Sequence, residues 1–357
     1  LDPVRLQLGA GPAESLPAAD PGTCRLVLDG RSDPLAGVTL PQGLTPLAEV
    51  ELQQRLGQTL AASGCREAWP VLLNKAAAGQ LLALRVRGAV EPVLELVADA
   101  GREACLLPLR ILLLLEEGAS LSLLQVQRSG GANLSSVVLE AELGRRASLR
   151  HGLLAFGHPE AVLLSHLAVR QEPGSELCLS AASAGWGLLR SEPRVQQTWG
   201  EARTQLRGLQ LVRGHELSDT HSHVAFEGPE GKLDQLHKVV ADAAGRSVFN
   251  GAVRVPRAAQ RTDAAQLSRS LLLSERARVD TKPELEIVAD DVRCAHGATV
   301  SQLQQDELFY LQSRGIGADQ AAALLLRGYC EEVLGALPAA AGAWQPLNTL
   351  LGDPIER

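Results

Sequence analysis

A glycine-led turn followed by a short apolar strand recurs at Gly118, Gly144, Gly174 and Gly200, at intervals of 26, 30 and 26 residues. The four copies read Gly118-Ala-Ser-Leu-Ser-Leu, Gly144-Arg-Arg-Ala-Ser-Leu, Gly174-Ser-Glu-Leu-Cys-Leu and Gly200-Glu-Ala-Arg-Thr-Gln-Leu. Self-similarity at such a period implies stacked units, because one unit alone cannot bury its apolar face. The interval is too long for a hairpin, and the texture is too strand-rich for a helical array. It fits one coil of a β-solenoid. Coils stack at about 4.8 Å, so Leu, Val and Ala from successive coils fill a long interior. Glycine supplies the positive φ that tight corners require. A β-sandwich would also give many short strands, and the repeat alone leaves that alternative open.

The flanks have a different period. Residues 1–75 are mixed, with a Pro- and Gly-punctuated, loop-like stretch to about Pro46. A helical pattern follows over 47–62 (Leu47, Val50, Leu52, Leu56, Leu60), and Trp69-Pro70 is expected to break it. Residues 76–298 carry period-two alternation, as in Leu82-Ala-Leu-Arg-Val-Arg, and form the solenoid core. Residues 299–357 return to helix. Ser301 with Gln304 suggests a capping box, and Gly315 suggests a stop. A second helix over 318–337 carries Ala321, Leu324, Leu325, Tyr329 and Val333 along one side and ends at Pro338. Residues 339–357 read as a tail. The helix pair is either a cap over the solenoid end or a docking site for a partner.

Composition narrows the function. The chain is 45% hydrophobic and 21% charged, enough to bury a core. Its net charge of −7 argues against a general nucleic-acid binder. Apolar runs such as 111–115 are too short to cross a bilayer. No basic-then-apolar leader begins at Leu1-Asp2-Pro3, so no export is expected. Six scattered cysteines contain no Cys-x-x-Cys, which favours reduced thiols in a cytosol-like compartment.

Common catalytic motifs are missing. Gly228-Pro-Glu-Gly-Lys232-Leu lacks the hydroxyl of a phosphate-binding loop. Gly9-Ala-Gly11 continues as Pro-Ala-Glu and is not a dinucleotide fingerprint. A β-helix polysaccharide lyase or hydrolase would need carboxylate clusters and aromatic sugar platforms. Four Trp, two Tyr and four Phe over 357 residues do not supply the platforms.

Three constellations bear chemistry. In Cys294-Ala-His296-Gly297, positions i and i+2 of a strand share a face, placing a thiolate beside an imidazole, a pair suited to iron, zinc or copper(I). The same spacing fits a small buried Cys beside a His that caps a strand end. His221-Ser-His223, with His215 and His237 nearby, is either a metal cluster or polar outer wall. The run Asp280-Thr-Lys-Pro-Glu-Leu-Glu-Ile287 through Asp290-Asp291 reads as a strand with one wet face, or as paired carboxylates.

The C-terminal half resembles a known family. Phe249-Asn-Gly251, Ala259-Gln-Arg-Thr-Asp-Ala264, Leu271-Leu-Leu-Ser274, Asp280-Thr-Lys-Pro-Glu-Leu-Glu-Ile287, Ala289-Asp-Asp-Val292, Cys294-Ala-His-Gly-Ala-Thr299 and Leu308-Phe-Tyr-Leu-Gln-Ser-Arg-Gly-Ile316 occur in order. Together they resemble the SufB/SufD family of iron–sulfur cluster assembly proteins, closer to the SufD type. The Trp69-Pro-x-x-Leu-Asn pattern agrees more weakly. The resemblance implies a mainly β fold, a right-handed parallel β-helix with helical N- and C-terminal regions. It implies a non-catalytic scaffold that pairs with a SufB-like paralogue, or with itself when that is lacking. It also implies a SufC-like ABC-type ATPase docked on the C-terminal helices, through Leu308, Phe309, Leu311, Arg314, Leu324, Leu325 and Tyr329. His296, with Cys294 as the weaker candidate, would meet iron or a nascent cluster transiently at the SufB–SufD interface, with no cofactor held stably. Ala295 stands where the family motif has serine. The implied compartment is the cytoplasm, or the plastid stroma in a plant or alga.

Overall fold

The structure is a computed structural model and describes residues 6–10, 15–77 and 79–352. The opening Leu1-Asp2-Pro3, the segment from Gly11 to Glu14, and residues 353–357 lie outside the described residues.

The chain begins with β1 (Gln7–Leu8), β2 (Thr23–Leu28) and β3 (Leu44–Pro46), then α1 (Glu49–Arg55), α2 (Gln58–Ala62) and α3 (Trp69–Ala76). Strands follow without interruption: β4 (Gln80–Val86), β5 (Val93–Asp99), β6 (Cys105–Leu115), β7 (Ser120–Arg128), β8 (Leu134–Leu143), β9 (Ser148–Phe156), β10 (Val162–Gln171), β11 (Glu176–Ala184) and β12 (Leu188–Gln197). Next come β13 (Arg203–Val212), β14 (Leu217–Phe226), β15 (Lys232–Ala241), β16 (Arg246–Val255), β17 (Asp263–Leu272), β18 (Arg278–Ile287) and β19 (Arg293–Ser301). The chain closes with α4 (Gln305–Gln312), α5 (Ala318–Leu334), a 3-10 segment Ala339–Trp344 and α6 (Pro346–Leu351).

Alternate strands join alternate sheets. One sheet runs β18-β16-β14-β12-β10-β8-β6-β4-β3, with β1 also on β6. The other runs β19-β17-β15-β13-β11-β9-β7-β5-β2. Among the described residues pairing is parallel throughout except β3 on β4. Each coil thus gives one strand to each sheet, and about eight coils form the β-solenoid that the repeat predicts. Ser120, Ser148, Glu176, Arg203, Lys232, Asp263 and Arg293 stand in one register column. Leu82, Leu84, Leu94, Leu96, Leu107, Leu109 and Ile111 fill the early interior almost without exposure. The corners follow expectation at Gly118, Gly174 and Gly200, all with positive φ. At the Gly144 corner the left-handed residue is instead Arg146.

Several flanking expectations change. The loop-like stretch to Pro46 contains β2 and β3, which extend the two sheets. The helix expected over 47–62 is two, because Gly57 turns the chain with a φ of 82°. The buried Glu140 carboxylate then accepts the backbone N–H of Gly57 (2.9 Å) and Leu60 (3.2 Å), satisfying free donors at the start of α2. Trp69-Pro70 starts α3, since proline is tolerated in the first turn. Asn74 pins α3 to the wall, its amide donating to the backbone oxygens of Leu109 (3.1 Å) and Ser136 (2.8 Å). Ser301 ends β19 and caps nothing, and Gln304 precedes α4 without a side-chain cap. The second C-terminal helix stops at Leu334, before Pro338.

The tail expected after 338 is packed structure as far as residue 352. Trp344, Leu350 and Leu351 are buried against the outer wall with Cys330, Val333 and Leu334. Gly152 on β9 permits this approach, because a Cβ there would stand 2.4 Å from Pro338. Among the described residues no helix is long and apolar enough to cross a membrane.

Candidate partner-binding site at the open coil

The two ends of the solenoid differ. At the first coils, Leu35 and Leu40 pack over the interior cluster. At the last coil, β18 and β19 are the terminal strands of their sheets and, among the described residues, have a neighbour on one side only. Among the described residues the C-terminal helices do not pack on them. Helix α5 packs on β11 and β13, and α4 packs on α5. The cap reading of the helix pair therefore fails, and the interior face of the last coil is open.

Register shows what that face presents. On β18, Val279, Thr281, Pro283, Leu285 and Ile287 continue the columns of Ser247, Phe249, Gly251, Val253 and Val255. On β19, Cys294, His296, Ala298 and Val300 continue those of Ala264, Gln266, Ser268 and Ser270. The lower members are almost all buried, whereas Ile287 is 41% and Val300 50% exposed. An interior stripe is thus laid bare beside two rows of unpaired strand edge.

Cys294 and His296 share this face, as the i, i+2 spacing predicts. Cys294 is half-buried against the interior cluster, and His296 is exposed. Desolvation pushes the Cys294 thiol up, partly countered by its hydrogen bond with the Ala264 backbone. Desolvation thus favours the protonated thiol, and the thiolate expected from the sequence needs a metal or a cationic neighbour. No group of three or more His, Cys, Asp or Glu suited to a metal ion occurs among the described residues. Cys294 and His296 offer at most two ligands, fewer than a closed site requires.

His221 and His223 lie on the outward face of β14, as the wall reading expects. His221 Nε2 stands 2.9 Å from Asp219. His237 is elsewhere, deep in the interior and stacked on Phe249 at 4.2 Å. In the acidic run, β18 alternates exposed and half-buried positions along its length, the pattern of a wet-faced strand.

The helical pair divides into two faces. Phe309 is 72% and Leu324 50% exposed. Tyr310 is also exposed, with the Arg314 guanidinium 4.9 Å from its ring. Leu308, Leu311 and Leu325 are half-buried. Tyr329 faces the other way, into the seam with the wall. Its hydroxyl donates to the Arg269 backbone oxygen (2.7 Å). Lys238 donates to the Tyr329 carbonyl (2.7 Å), pairs with Glu332 (2.5 Å) and lies 4.1 Å from the Tyr329 ring. Sequence reasoning missed Lys238, a buried cation on β15. The available signal was a rare lysine inside the apolar run Leu236–Val240 of a chain with four lysines.

Comparison with known proteins agrees with this architecture. The model of the SufBD core domain, of the SUF system for FeS cluster assembly, matches residues 98–329. An iron–sulfur cluster assembly SufBD family protein of Synechocystis is 39% identical over 206 residues, covering 58% of this chain and 46% of that protein. Protein ABCI7, chloroplastic, of Arabidopsis thaliana is 38% identical over 247 residues, covering 66% and 51%. Iron–sulfur cluster assembly protein SufD of Escherichia coli is 29% identical over 298 residues, covering 83% and 68%. The matched part is about half the length of the first two relatives. A solenoid of this register, matched over most of its coils, means that this chain belongs to the SufBD family of iron–sulfur cluster assembly proteins.

Proposed function

We propose that this chain is a SufD-type, non-catalytic scaffold of a cluster assembly complex. Its open coil pairs with the solenoid of a SufB-like paralogue. Its exposed helical face, centred on Phe309 and Leu324, carries a SufC-like ABC-type ATPase. The observation that carries the reading is the bare interior stripe of β18 and β19, with Cys294 and His296 side by side on it. A second solenoid covering that stripe buries Leu285, Ile287 and Val300 and pairs the free strand edges.

The two ligands then meet others from the paralogue. Iron or a growing cluster is cargo at that seam and is not held by this chain alone. Nucleotide-driven closure of two ATPase copies pulls on both scaffolds and shifts the seam, exposing His296. This is a switch only if nucleotide favours the shifted arrangement. The site of action is the cytoplasm, or the plastid stroma, in keeping with the chloroplastic relative.

Co-expression with the SufB-like and SufC-like proteins, followed by mass and iron analysis, tests the reading. A three-component complex is expected, and His296→Ala should abolish cluster assembly in cells while leaving the complex intact. Full assembly by that variant would remove His296 from the mechanism. Recovery of no ATPase would remove the scaffold reading.

A further inference from the structure

Gln266 stands directly beneath His296 in the β17–β19 register. Leu123, His151, Leu179, Leu206, Gln235, Gln266 and His296 form one interior column, and its last three members, towards the open end, are all polar. Gln266 is 2% exposed. Its amide Nε2 donates to Gln235 Oε1 (2.9 Å), and Gln235 Nε2 donates to the Ser222 hydroxyl (2.8 Å). This ladder commits the Gln266 N–H group to the coil below. Gly251 on β16 leaves room for it, because a Cβ there would stand 2.3 Å from Gln266 Nε2.

The Gln266 carbonyl oxygen is buried and has no partner among the described residues. An unpaired buried acceptor costs about 1–3 kcal/mol, so such groups are normally satisfied. The next residue of the column is one strand spacing away, about 4.8 Å between backbones. That residue is His296, and a neutral imidazole has one N–H to give and one lone pair to keep. A histidine that meets a metal through one nitrogen normally gives its other N–H to a carbonyl or carboxylate.

We propose that Gln266 is a positioning residue for His296: its side-chain carbonyl accepts one ring N–H and holds the imidazole in a single tautomer whose other nitrogen faces the open coil. The proposal deepens the reading of His296 as the group presented to cargo, but its test does not depend on cluster assembly.

The full chain is labelled with 15N-histidine, and His296 is assigned with His296→Gln. Multiple-bond 15N–1H spectra at pH 8 then report the tautomer. The wild type should show one tautomer, and Gln266→Leu should move the ring towards the exchanging mixture of free histidine. Gln235→Leu, which frees the Gln266 amide without touching the imidazole, should give an intermediate shift. A mixture in the wild type overturns the proposal, as does an unchanged spectrum in Gln266→Leu. Should Gln266→Leu fail to fold, an unchanged spectrum in Gln235→Leu overturns it equally. Loss of cluster assembly in His296→Ala with no tautomer effect of Gln266 would leave the scaffold reading standing and remove this one.

Discussion

The indole N–H of Trp344 donates to the buried Glu95 carboxylate over 2.6 Å, joining positions 249 residues apart. Arg25 pairs with the same carboxylate at 2.5 Å, and its guanidinium lies 5.5 Å from the Trp344 ring. A segment whose sequence reads as tail is thereby locked to the early coils.

Removing that lock has graded effects. Trp344→Phe keeps most of the packing and leaves Glu95 with Arg25, so it should cost about 1–2 kcal/mol. Trp344→Ala also opens a cavity and should cost about 3–5 kcal/mol. Urea unfolding separates the two, and equal midpoints would show that the Glu95 bond, not packing, dominates.

The Lys238–Glu332 pair fastens α5 to the wall asymmetrically, because Lys238 is buried and Glu332 half exposed. Glu332→Ala leaves a buried ammonium without its carboxylate, held by the Tyr329 carbonyl, and should destabilise by up to about 3 kcal/mol. Lys238→Met leaves only a solvated carboxylate and should cost less. The hydrogen bond from Lys238 is the main cause holding the Glu332 carboxyl below its ordinary value. A depressed carboxyl stabilises the fold above the unfolded-state value, about pH 4.3, and the gain is lost as pH falls through the folded-state value. Comparing both variants with wild type at pH 7 and pH 3 checks the sign.

Two interior histidines give a second acid sensitivity. Burial pushes His151 down to about 4 and His237 down to about 3. The unfolded chain takes up protons below about pH 6.5 while the folded chain does not. Stability should therefore fall as pH drops from 6.5 towards 4, by about 1.4 kcal/mol per pH unit for each histidine. In His237→Gln the slope of unfolding free energy against pH should drop by one histidine's share. An unchanged slope would mean that His237 titrates normally in the fold.

Replacing Phe309 and Leu324 together by serine should leave stability within about 0.5 kcal/mol, since both are exposed. The same variant should lose the ATPase in a pull-down while still recovering the SufB-like partner. Retention of the ATPase would move the docking face elsewhere.

Much of this molecule is written locally. The spacing of Gly118, Gly144, Gly174 and Gly200 and the period-two alternation between them determine coils, because each strand's faces follow from its own residues. The same alternation places Cys294 and His296 on one face. Neighbours in sequence do not say whether that face is covered. The flanking segments decide it: Leu35 and Leu40, between β2 and β3, pack against the interior cluster, while α5 lies along the wall on β11 and β13. Lys238 beneath Tyr329, and Trp344 on Glu95, are likewise fixed by burial against residues far along the chain. Periodicity is a property of adjacent residues, whereas the free energy of covering an end or a wall is gained only when distant segments meet.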